Sequence, residues 1–275
     1  MKPGHELGDM FEDYFRADDA DGQEYGRSAS LLDGMRDTVA QLPIAAVAGS
    51  PIDEVDRAFT GAPVSPATLL RNAMDHALLN LCHVMDIVEQ SGRLVSVPAV
   101  MGNIRTSLLA TSHLCHATSP SDPQLRVQHM GRLYKLEIDS ASKFVEQLDE
   151  QNANVLAGMR PPRNSVVRQL AAYTNPYPPP PRTSSETKLL EHMKEQVLGP
   201  LLIELSIDEA HGNLLIDHMF NTTSGAAHGY GWIDLNGVVC EFVTHFSCAV
   251  WVANIVFNDY LRALGHHPHL NPNLA

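Results

Sequence analysis

Apolar residues recur every three to four positions over most of this chain, the spacing that gathers them on one side of a 3.6-residue helix. The clearest run is Leu69, Leu70, Ala73, Ala77, Leu81, Met85 and Val88. Ser65 is placed to cap its start, Pro66 suits a first helical position that needs no amide donor, and Gly92 ends the pattern. A second helix is expected over Val100–Ala117, with Met101, Ile104, Leu108, Ser112 and Cys115 on one face. A third spans Pro123–Gly158, capped by Ser121 or Asp122 and striped by Leu125, Met130, Leu133, Leu136, Phe144, Val145 and Leu148. Further helices are expected over Ser28–Leu42, after the capping pattern Thr183–Glu186, over Pro200–Asn221 and over Leu235–Leu264. Alternating apolar and polar positions are nearly absent; Val95–Val100 could be extended but is short and broken by Pro98. The pattern predicts an all-α antiparallel helical bundle.

Two stretches interrupt the periodicity. Pro43, Gly49-Ser50-Pro51 and Gly61-Ala62-Pro63 punctuate a connecting region. Residues 159–183 hold Pro161-Pro162 and the run Pro178–Pro181, and read as a Pro-rich loop with polyproline II character. Residues 1–30 carry eight acids against three bases, which is five of the thirteen net negative charges, and are expected to form a loosely docked acidic arm. The organisation that follows is 1–64 as acidic arm and short helix, and 65–275 as the bundle.

Composition narrows the function classes. At 44% hydrophobic and 19% charged residues the 275-residue chain can bury a core. A net charge of −13 excludes a uniformly basic nucleic-acid binder and disfavours RNA as a partner, since phosphate binding needs a cationic face. Cys82, Cys115, Cys240 and Cys248 are too few for a disulfide framework and read as reduced thiols of a cytoplasmic protein. The apolar run Phe246–Phe257 falls well short of the roughly twenty residues of a membrane span, so no membrane association is expected.

Three stretches carry a family resemblance. Asp75-His76-Ala77-Leu78-Leu79-Asn80-Leu81 resembles a D-H-L-x-x-L helix. Arg105-Thr106-Ser107-Leu108-Leu109, followed by Arg126-Val127, resembles an R-x-x-L-E helix and the arginine-rich helix after it. Phe220-Asn221-Thr222-Thr223-Ser224-Gly225-Ala226-Ala227-His228-Gly229 resembles Y-R-L-L-S-G-x-A-H-G. In this order, over about residues 66–264, they resemble a group of HEPN-like bacterial helical bundles.

That resemblance implies an up-down bundle that homodimerises. In active members it implies a metal-independent ribonuclease, in which an Arg and a His with four to six residues between them act at a dimer cleft. Arginine holds phosphate bidentately and histidine moves a proton near neutral pH. The family-like histidine is His228, but Asn221 stands where the arginine is expected and supplies no fixed charge. Arg71 and His76 do satisfy R-x-x-x-x-H, as do Arg262 and His267. With fourteen histidines in the chain such matches also arise by chance. The candidate catalytic set is therefore His228, His76, Arg71 and Arg105.

Other chemistry is less well supported. His113-x-x-His116, His76 with His83, and Glu204, Asp208 and His211 each share a helical face. None closes a ligand set, paired Glu-x-x-His motifs are missing, and Cys82, His83, Cys115 and His116 lack the close spacing of structural zinc. No metal and no cofactor are assigned. Ser224 lacks the G-x-S-x-G elbow of an exposed nucleophile. The expected function is an HEPN-like binding or regulatory protein without robust catalysis, acting on itself as a homo-oligomer or on a protein partner. The alternatives are an HEPN-type ribonuclease and a metal-dependent helical-bundle enzyme of specialised metabolism.

Overall fold

The computed structural model describes residues 20–91, 97–151, 161–178, 186–198, 216–224 and 241–266. Among them every regular element is helical and none is a strand, so the all-α bundle is the fold. The helices are α1 (Ala20–Gln41), α2 (Pro51–Ala58), α3 (Pro66–Ser91), α4 (Val97–Thr118), α5 (Pro123–Gln151), α6 (Pro161–Ala171), α7 (Glu186–Met193), α8 (216–224) and α9 (Phe242–Ala263). One π-helical stretch, Lys194–Leu198, continues α7.

Local chemistry explains the helix starts. At α3 the Ser65 hydroxyl accepts from the Thr68 amide at 3.2 Å, and Asp56 Oδ1 accepts from the Ala67 amide at 2.9 Å. Two of the orphan amides of the first turn are thereby satisfied. At α5 Asp122 Oδ1 accepts from the Leu125 amide at 2.9 Å, which settles the choice between Ser121 and Asp122.

Four expectations need correction. The helix expected from Ser28 begins at Ala20, so part of the acidic arm is ordered. Tyr25 is buried 5.3 Å from the Phe246 ring, and Glu24 accepts from Trp251 Nε1 at 3.2 Å. These contacts lie far apart in sequence, so charge composition alone misses them. The connecting region contains α2, capped by Ser50 with Pro51 at its first position. The Pro-rich loop contains α6: Pro161 and Pro162 open the helix, where missing amide donors cost nothing, and Leu170 is buried on it. Val97–Val100 is the first turn of α4, with Pro98 tolerated there for the same reason. The expected capping pattern Thr183–Glu186 and most of the Pro200–Asn221 helix lie outside the described residues.

The fold divides into two compact units. Of the described residues, the first holds those within 20–42, 73–115 and 190–258, and the second those within 43–72, 116–189 and 259–266. In the first, Leu32, Met35, Leu81, Met101, Ile104, Phe242, Phe246 and Val250 are buried. Burying each such side chain contributes about 1.5–3 kcal/mol. In the second, α5 packs on α2 and α6. The Phe59 and Tyr134 rings stack at 4.6 Å, and the Tyr134 hydroxyl donates to the Val64 carbonyl. The chain after α6 lies hard against α5 at Gly131, where a Cβ would collide with the Tyr177 carbonyl oxygen. Only glycine fits that approach. Asn175 Nδ2 donates to the Gly131 carbonyl at 2.6 Å and fixes it. No described helix is long and apolar enough to cross a membrane.

Candidate functional site

The first unit holds a histidine–carboxylate cluster built by α8 and the start of α9. Ile216, Met219, Thr222 and Thr223 are buried, which anchors α8 and leaves His218 and Asn221 on its exposed side. Glu241 precedes α9, and its carbonyl accepts from the His245 amide at 2.9 Å, the first helical bond. The Glu241 carboxylate thus sits at a helix N-terminus, where the macrodipole favours negative charge. One helical turn separates Glu241 from His245, so both side chains share a face.

Glu241 Oε2 lies 2.8 Å from His218 Nε2 and 3.5 Å from His245 Nε2. The two imidazole rings are 5.8 Å apart at 51°. His218 is exposed, Glu241 half-buried and His245 only 1% exposed. His245 Nδ1 is buried without a hydrogen-bond partner among the described residues. Burial pushes the His245 pKa down to about 4, with the Glu241 charge opposing and His218 adding to the shift. His245 is therefore a neutral imidazole at pH 7. One donor atom from each of the three residues falls within 4.8 Å of the others. Asp217, the residue before His218, pairs through Oδ1 with Lys194 Nζ at 2.7 Å.

The second unit holds a different histidine cluster. His116 is 1% exposed, and its ring stacks on His129 at 3.8 Å with 7° between planes. His129 Nδ1 donates to the His116 carbonyl at 2.6 Å. Arg132 Nη1 donates to His116 Nε2 at 3.1 Å, which requires His116 to carry its proton on Nδ1. Burial lowers the Arg132 pKa. A guanidinium already facing the imidazole nitrogen disfavours a metal cation there.

The residues singled out from sequence fare unequally. The Arg105 guanidinium lies over the Phe220 ring, 5.2 Å from its centroid, so two of the three family-like segments touch. Asn221, in the arginine position, is exposed on the next residue of α8. His76 is exposed on α3 and Arg71 half-buried. Five helical residues turn the chain through about 140°, so their side chains leave α3 in different directions. Arg126 is buried and donates from Nη2 to the Pro120 carbonyl at 2.7 Å, closing the turn before α5. Cys82 is buried and His83 exposed, so these two neighbours do not share a site. His228, Glu204, Asp208, His211 and Cys240 lie outside the described residues.

His218, Glu241 and His245 were not among the sequence candidates. The Glu241-x-x-x-His245 spacing is a legible one-face pair, but nothing local ties His218, 23 residues upstream of Glu241, to it. In comparisons with protein-family models, characterised proteins and solved structures, the chain matches none.

Proposed function

We propose that this chain is an HEPN-like binding or regulatory module, homodimeric and cytoplasmic, that works by association rather than by phosphodiester cleavage. The observation that carries the reading is the Arg105–Phe220 contact. It joins the R-x-x-L-like helix to Phe220, the first residue of the Phe220–Gly229 segment, and it engages one candidate phosphate anchor with an aromatic face. Asn221 on the exposed side of α8 fits the same reading, because an amide cannot hold a phosphate as a fixed cation does. The homodimer rests on the family resemblance, and the unbridged Cys82, Cys115 and Cys248 are in keeping with a reducing compartment.

The test is incubation of the purified chain with single-stranded RNA in excess EDTA, alongside sedimentation to weigh the particle. The expected result is intact RNA and a dimer. Rapid cleavage that disappears in His228→Ala would overturn the reading in favour of a metal-independent ribonuclease. A second reading, a metal-dependent helical enzyme, has one observation in its favour: the donor set of His218, Glu241 and His245.

A further inference from the structure

We propose that His218, Glu241 and His245 form a binding site for one divalent first-row transition ion of the zinc class, with an open position toward solvent. This goes beyond the binding-module reading and stands independently of whether the chain acts on RNA.

The donor chemistry is the first argument. Two imidazoles and one carboxylate are borderline ligands that suit zinc and its neighbours, and three protein ligands leave room for a water or a small anion. Distance is the second. Ligand atoms bound at about 2.0–2.1 Å to one ion stand about 2.9–3.4 Å from each other, from right-angle to tetrahedral geometry. The observed 2.8 Å and 3.5 Å from Glu241 Oε2 to the two Nε2 atoms bracket that interval.

The third argument concerns His245 alone. This ring is 1% exposed, and its Nε2 lies 3.5 Å from the carboxylate oxygen, too far for a strong hydrogen bond. A buried polar group is expected to be satisfied. An ion seated between Glu241 and the two rings satisfies Nε2 without moving the backbone. Neutral imidazole is the form that binds a metal. The exposure of His218 gives the ion an entry path and places the free coordination position at the surface.

Cobalt(II), a spectroscopic substitute for zinc, is the probe, titrated into full-length protein purified without a histidine tag. The expected result is one equivalent bound per chain, displaced by zinc. Glu241→Gln and His218→Ala should each weaken binding by about tenfold or more. His76→Ala and His129→Ala, which alter other histidines, should leave it unchanged. Affinity in Glu241→Gln and His218→Ala equal to that of the unaltered protein would overturn the site, as would binding well below one equivalent. Both substitutions fall on side chains with solvent access, and circular dichroism reports their folding. Proton NMR of the unaltered chain gives a second readout: cobalt must shift the ring protons of two histidines, and the absence of any such shift equally sinks the proposal.

Discussion

The two histidine clusters use the same ring and arrive at opposite chemistry. In the second unit His116 is buried and stacked on His129, with the Arg132 guanidinium donating to its Nε2. In the first, His245 is just as buried but faces a carboxylate and a second imidazole. A cation beside an imidazole fixes its tautomer and repels another cation, so the His116 cluster is a packing device. An anion beside two imidazoles concentrates negative charge and lone pairs at one point. Burial alone does not make a histidine a ligand; the charge of its partner decides.

That comparison can be broken most directly at His116. His116→Ala removes a buried ring, its stack on His129 and the acceptor for Arg132. It should lower unfolding free energy by about 3 kcal/mol in urea denaturation. A loss below about 1 kcal/mol would mean the cluster is not structural. Acid offers the next largest effect, at His245 in metal-free protein. Its folded pKa of about 4 lies below the unfolded value near 6.5. Between those values the unfolded chain binds the extra proton, so stability is full above about pH 6.5 and falls as pH drops toward 4. The expected contribution is on the order of 3 kcal/mol. Comparing His245→Gln with the unaltered chain across that window isolates it from other groups, including the facing Glu241 and His218. A smaller loss, about 1–2 kcal/mol, is expected for Arg132→Leu, which deletes the donor to His116 Nε2. At the small end, His218→Ala should change metal-free stability by no more than about 0.5 kcal/mol, since the side chain is exposed. A large loss there would make the first cluster structural too and erase the contrast.

Some of the fold was readable from local chemistry. The Ser65-Pro66 start and the Asp122 cap were legible because a capping residue acts on amides two or three positions away. Ser50-Pro51 has the same form, yet it reads as punctuation because only Ile52 and Val55 follow as buried apolar residues in an eight-residue helix. Pro161-Pro162 misleads in the same way: proline signals a break and also a first turn, and the residues beyond it must choose. The early start of α1 was hidden for another reason. Tyr25 and Glu24 are held by Phe246 and Trp251, more than two hundred residues away.

The site divides along the same line. Glu241 and His245 sit four residues apart and could have been paired from spacing. His218 could not, because its partner is set by how α8 approaches α9. Nor could spacing foretell that Arg105 would lie over Phe220, or that Arg126 would spend its guanidinium on the Pro120 carbonyl.

The sequence by itself determined the all-α class and where several helices begin, since side-chain periodicity and capping act over a few residues. Only the tertiary structure decided which histidine meets a carboxylate and which meets a guanidinium. Those partners come from distant segments, and their juxtaposition depends on the buried faces against which each helix packs.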